Sequence, residues 1–194
     1  MKKIYVILSH TGTILSKIIR INTGAEYTHA SIALDENLKK MYSFGRLNPY
    51  IAFIGGFVRE SKNFGTFKRF KNTEVSILEM EVTDEQYDEI NHNIAYMKKN
   101  KRKYSFNYLG LVLAGINKKN TNSYRFYCSE FVKYLLEKAN VDLDNLPDVT
   151  KPEDFKKLKN TKIIYKGYLR DYDIEKKDLL YYLKSIAPKK EIRI

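Results

Sequence analysis

The chain has 194 residues, 43% of them hydrophobic, with 16 tyrosines, 10 phenylalanines and a formal net charge of +12. That length and apolar content suit one folded domain with its own core and exclude a disordered polyelectrolyte. The single cysteine excludes an internal disulfide framework and a multi-cysteine zinc site, and no apolar run reaches membrane-spanning length.

The positive charge is densest at Lys98–Lys103. It can attract nucleic acid or make peripheral contact with an anionic membrane, or it can be a solvated lysine-rich face. No zinc-finger, RNA-recognition or helix-turn-helix signature accompanies it, so no specific nucleic-acid partner is expected. The N-terminal apolar run stops after Leu8, too short for an export signal, and a cytoplasmic location is the expectation. The oligomeric state is left open.

Ile4 to Leu8 is an apolar run rich in β-branched residues, the pattern of a buried strand. Thr13 to Ile21 places Ile14, Leu15, Ile18 and Ile19 at helical spacing, with Gly24 where a C-cap would fall. Glu26 to Asp35 reads as a second strand whose His29, Ser31 and Ala33 share one face. A turn at Asp35–Asn37 leads to a third strand, Lys40 to Phe44, and Gly45 to Asn48 leads into a loop at Pro49. Phe53 to Val58 either lines a pocket or uses its two glycines for close packing. Phe64–Phe70 and Val75–Val82 are further strand candidates.

Thr83, with Gln86 three residues on, is a capping box. It opens a helix to about Lys99 that would bury Tyr87, Ile90, Ile94 and Met97. A second helix is expected from near Ser105 to Ala114, and a third from Cys128 to about Asn140. The third carries Phe131, Val132, Leu135 and Leu136 on one face. Pro152 opens a short helix, Thr161 to Gly167 is a last core strand, and a peripheral helix with a frayed tail follows Asp171. Residues 1–194 are expected to form a single domain with a peripheral C-terminal extension from about residue 168.

Cys128 falls in the first turn of its helix, where unpaired backbone N–H groups and the positive dipole end favour thiolate over thiol. A lone cysteine can equally be a small buried hydrophobe. As a nucleophile it would need a histidine brought in from elsewhere. His92 lies between core positions of the capped helix and reads as solvent-facing. His10 ends the first strand and could reach a site or sit in a loop. His29 starts a strand among small residues, with open space before its ring.

Three segments, Tyr27-Thr-His29-Ala-Ser-Ile-Ala-Leu34, Met41-Tyr-Ser-Phe44 and Tyr127-Cys128-Ser-Glu-Phe-Val132, resemble the circularly permuted branch of the NlpC/P60 papain-like superfamily. In that branch the histidine strand precedes the cysteine helix, as here. The resemblance runs from about Ile4 to Leu136. It implies an α+β, papain-like NlpC/P60 fold, circularly permuted, with an antiparallel sheet packed against helices that include the nucleophile helix. Cys128 would be the nucleophile and His29 the general base that also protonates the leaving group. The family takes a third polar residue from the strand after the histidine, and the matching position is Ser43. Relatives often place a glutamate, glutamine or histidine there, so either the triad is degraded or another group serves. Tyr104 resembles the family's pocket-flanking tyrosine and can equally be a packed amphipathic one. Tyr127 and Ser129, either side of the nucleophile, would meet substrate.

The implied activity is that of a cysteine amidase or peptidase, a thiol hydrolase acting through a thioester on a small peptide, γ-glutamyl or acyl-amide substrate. No cofactor and no metal are expected. Two other readings stand beside it. One is a lipid acyltransferase or thioesterase-like enzyme at a membrane surface, with Phe53, Ile54, Phe57 and Leu111 lining an apolar channel. The other is a catalytically decayed module that binds a ligand.

Overall fold

The computed structural model describes residues 1–12, 24–116, 118, 123–143 and 146–174. Its framework is an antiparallel sheet of six strands: β1 (Lys2–His10), β2 (His29–Ala33), β3 (Met41–Asn48), β4 (Ile51–Glu60), β5 (Glu74–Val82) and β8 (Thr161–Tyr168). Their order across the sheet is β4-β3-β2-β1-β5-β8. A short parallel pair, β6 (Ser105–Phe106) and β7 (Arg125–Phe126), forms a second sheet packed against β4. The helices are α1 (Gly65–Arg69), α2 (Asp84–Lys99), α3 (Tyr108–Gly115) and α4 (Cys128–Lys138).

β1 is central and buried on both faces, which is why its sequence is continuously apolar rather than alternating. Ile4, Val6 and Leu8 point into the larger core, which α2 and α4 cover. Tyr5 and Ile7 point into a second core with Phe67 of α1, Leu169 and Tyr172. In α4, Phe131, Val132, Leu135 and Leu136 are all fully buried, as their spacing requires. The Phe131 ring lies 5.2 Å from that of Phe44 and 5.8 Å from that of Phe57. Each such buried side chain contributes about 1.5–3 kcal/mol, so this face anchors α4 firmly across the sheet.

The capping box of α2 is formed: Gln86 N–H donates to Thr83 Oγ1 at 3.1 Å, and Thr83 N–H to Gln86 Oε1 at 2.9 Å. Ile90, Ile94 and Met97 are buried and His92 is exposed, as expected.

Four expectations are corrected. Phe64 to Phe70 is not a strand but contains α1. Gly65 takes a left-handed φ of 65°, which stops extended chain, and the phenylalanines at 64, 67 and 70 recur at helical spacing. Gly45 to Asn48 is not a loop; β3 continues through it and pairs with β4, whose span includes Phe53 to Val58. Gly55 permits the contact there, since a Cβ would stand 2.8 Å from Phe106 Cβ. The helix expected from Ser105 begins at Tyr108, because Ser105 and Phe106 pair with β7 and Asn107 caps the helix through Gly110 N–H at 2.8 Å. α4 stops at Lys138, and Asn140 turns the chain with φ 52°. The helix expected over Thr13–Ile21, and the tail beyond residue 174, lie outside the described residues.

The sheet opens at one place that matters. β2 and β3 pair only at Ile32–Tyr42 and Ala33–Met41, so toward His29 the two strands part. The N-terminus of α4 meets the open end. Among the described residues no helix is long and apolar enough to cross a membrane.

Candidate active site

Cys128 is the first residue of α4, preceded by Tyr127 in extended conformation. At that position its N–H has no helical carbonyl to bond, and the helix dipole presents its positive end. The thiol is buried, 4% exposed. Burial alone would raise its pKa, but His29 and the backbone N–H groups of Ala30 and Ser129 outweigh that and hold it below the ordinary thiol range. The Ala30 bond joins α4 directly to the strand that carries the histidine.

His29 begins β2, paired with Ser9 of β1, so its position along the sheet is fixed by the β1–β2 ladder. Its Nε2 lies 3.0 Å from Glu60 Oε1. With Nε2 on Glu60, Nδ1 is the ring nitrogen left to serve the Cys128 thiol, which is near enough to favour the imidazolium. Burial would depress the imidazolium; the Glu60 carboxylate and the Cys128 thiolate together raise its pKa to about 10. The three groups therefore favour thiolate, imidazolium and carboxylate in a line.

Glu60 ends β4. The β3–β4 register sets it opposite Met41 and sets Ser43 opposite Val58, so Glu60 and Ser43 share the face on which His29 stands. The carboxyl is 9% exposed. Burial pushes it toward the neutral form, yet His29, Ser31 and Ser43 reverse that and keep it below the usual carboxylate range. Ser31 Oγ donates a short hydrogen bond to Glu60 Oε2, so both carboxylate oxygens are held.

Gly45 forms the floor of this arrangement. A Cβ there would stand 3.2 Å from Ser43 Oγ and 3.4 Å from both Glu60 Oε1 and His29 Cε1. The imidazole thus rests over a bare backbone, and only glycine leaves it room without adjustment.

The structure brings Cys128, His29 and Ser43 to one locality, but the imidazole's partner is Glu60, not Ser43. Ser43 Oγ is buried and makes no well-formed hydrogen bond; its dipole still favours the ionised Glu60 nearby. Ser129 spends its hydroxyl on the carbonyl of Thr150 at 2.8 Å, and what it offers the thiol is its N–H. Tyr127 is buried beside Ala114 and Val149, and its N–H donates to Glu130 Oε2 at 3.2 Å. Burial, with Glu130 and Cys128 nearby, pushes its phenol well above the ordinary range. Tyr104 packs in an aromatic cluster, its ring 6.3 Å from Phe44, 5.9 Å from Tyr124 and 6.4 Å from Phe126. Its side chain is spent on the core. His10 is buried and lies 3.5 Å, Nδ1 to Oγ1, from Thr28.

Glu60 is the residue of this candidate site that the sequence pattern did not single out. A signal was present: it is the lone acidic residue between Glu36 and Glu74. Among the described residues no group of three or more histidine, cysteine or acidic side chains is placed to hold a metal ion. No protein-family model and no curated protein matched the chain when it was compared with them.

Proposed function

We propose that this chain is a cysteine hydrolase of the amidase or peptidase type, of the permuted papain-like kind its motifs resemble. Cys128 is the nucleophile, His29 the acid and base, and Glu60 the orienter. The observation that carries the reading is a largely buried imidazole whose Nε2 lies 3.0 Å from a buried carboxylate and whose ring stands close to a thiol at a helix start. A structural cysteine has no use for such a set.

In the reaction, the Cys128 thiolate attacks the carbonyl carbon of an amide. The oxyanion gathers near the Cys128 N–H at the helix end. His29 gives its proton to the leaving nitrogen as the C–N bond breaks, leaving a thioester. Water then attacks the thioester, His29 takes its proton, and the C–S bond breaks to release the acid and restore the Cys128 thiolate beside the imidazolium. Glu60 stays ionised throughout and holds the imidazole in the tautomer that each step needs. A small peptide, γ-glutamyl or acyl-amide substrate suits this chemistry. Glu60 also supports an intact site over a decayed one, since it supplies the partner that a serine at position 43 would supply poorly.

The test is the pH dependence of Cys128 alkylation by iodoacetamide in the wild type and in His29→Ala. Fast labelling at neutral pH that collapses without His29 is expected. An ordinary thiol titration near about 8.5, unchanged by the substitution, would overturn the proposal.

A further inference from the structure

Helix α3 is built the wrong way round for water. Its small residues Gly110 and Ala114 face inward and are buried. Leu109, Val112 and Ile116, at spacing i, i+3, i+7 along the helix and its C-cap, are 63%, 70% and 63% exposed. A helix of a water-facing surface puts its large apolar stripe against the core.

The β3–β4 hairpin does the same thing next to it. Tyr50, Phe53 and Ile54 are 76%, 80% and 50% exposed. Phe53 and Ile54 are neighbours in a strand, so they point to opposite faces, and the exposure of both means that the hairpin tip stands clear of the sheet. The two elements touch: a Cβ on Gly55 would stand 2.9 Å from Tyr108 Oη. The exposed apolar side chains are therefore gathered on two elements in contact with one another rather than scattered singly over the molecule.

The charge that these two stretches of chain bring to the surface has one sign. There is no aspartate or glutamate from residue 90 to residue 129, and none from 37 to 73 except Glu60, which His29 engages. Those two stretches contain α3 and the hairpin. The Arg69 guanidinium lies 4.1 Å from the Tyr50 ring and donates to the Pro49 carbonyl at 2.7 Å, at the hairpin turn. Arg46 stands close by, since its guanidinium and that of Arg69 both lie over the Phe70 ring, at 5.9 Å and 5.2 Å from its centroid. Two guanidinium groups held close, beside exposed aromatic and aliphatic side chains, complement a plane of phosphates over hydrocarbon. An acidic protein groove would answer the charge and leave Phe53 and Val112 without a reason.

We infer that the β3–β4 hairpin and α3 form a docking surface for an anionic lipid bilayer. The aromatic and aliphatic tips enter the interfacial layer while Arg46 and Arg69 take headgroup phosphates. The inference stands apart from the chemistry proposed for Cys128. The two surfaces are neighbours, however, because the hairpin runs on directly from Gly45, where a Cβ would lie 3.4 Å from His29 Cε1. A docked molecule would hold its candidate site close to the membrane plane.

The experiment is sedimentation of the whole chain with vesicles of phosphatidylcholine alone, and of phosphatidylcholine with phosphatidylglycerol, at low and high salt. Wild type and the double variant Phe53→Ser, Val112→Ser are compared. Both side chains are mostly exposed, so folding should survive, and thermal unfolding checks it. The expected result is salt-sensitive binding to the anionic vesicles that falls about tenfold or more in the double variant. Absence of binding to anionic vesicles, equal binding to neutral ones, or binding that the variant retains overturns the inference. So does a dimer in solution that the variant converts to monomer without any vesicle binding, which would give this face to a second copy of the chain.

Discussion

Replacing Glu60 by glutamine keeps the side chain's shape and removes its charge, and two titrations should move together. Glu60 is held ionised, and its charge is what most supports the imidazolium against burial, raising His29 to about 10. The imidazolium in turn lowers Cys128. Without the carboxylate, His29 falls and Cys128 rises, so the pH range in which thiolate and imidazolium coexist narrows from both ends. A hydrogen bond to a charged group contributes about 1.5–3 kcal/mol. Side-chain exposures of 19% and 9% leave little solvent screening of the His29–Glu60 pair. At about 1.4 kcal/mol per factor of ten, the variant should lose roughly ten- to a hundredfold in alkylation rate at neutral pH. The assay is the iodoacetamide rate at Cys128 followed from acid to alkaline pH, with thermal unfolding as the check on folding. The acid limb should move up toward an ordinary thiol and the alkaline limb should move down. Ser31→Ala, which removes the donor to the other carboxylate oxygen, should shift both limbs the same way by less. Wild-type rates and limbs in a folded Glu60→Gln protein would refute the coupled set.

Two further outcomes follow from the geometry. Gly45→Ala places a methyl group 3.2 Å from Ser43 Oγ and 3.4 Å from Glu60 Oε1 and His29 Cε1, so the ring must shift by a few tenths of an ångström. Alkylation at neutral pH should slow at least several-fold while the melting temperature changes little; an unchanged rate would show that the ring has more room than the contacts imply. Glu26 accepts from Lys166 at 2.7 Å and Lys156 at 3.1 Å, and Lys166 above all holds its carboxyl at about 2. Its folded pKa lies below the unfolded value of about 4.3, so its contribution is complete above that value and fades as the pH falls toward 2. The carboxylate is 40% exposed, so Glu26→Gln should cost under about 1 kcal/mol at neutral pH, and acid unfolding of the variant should be correspondingly less steep.

What was legible in the sequence depended on whether a signal was local. The α2 capping box, the β1 run and the buried face of α4 each declare themselves within a few residues, and each is as expected. The histidine strand and the cysteine helix are also local patterns, which is why His29 and Cys128 stand out as candidates and carry the family resemblance. Their partner could not be found in the same way. Which carboxylate reaches His29 depends on the β3–β4 register, and that register runs through Gly45–Asn48, a stretch whose glycine, asparagine and following proline read as a loop. With the strand ended before that stretch, Glu60 lies outside the expected sheet, and the third position rests on the family pattern alone, which points to Ser43. The charge pattern held better information than the strand pattern. Burying a carboxylate is costly unless a cation or several donors meet it. An acid alone among apolar residues and cations, at the end of a strand, is therefore more readily explained by a buried cationic partner than by the surface. In this chain the imidazolium at His29 is that partner.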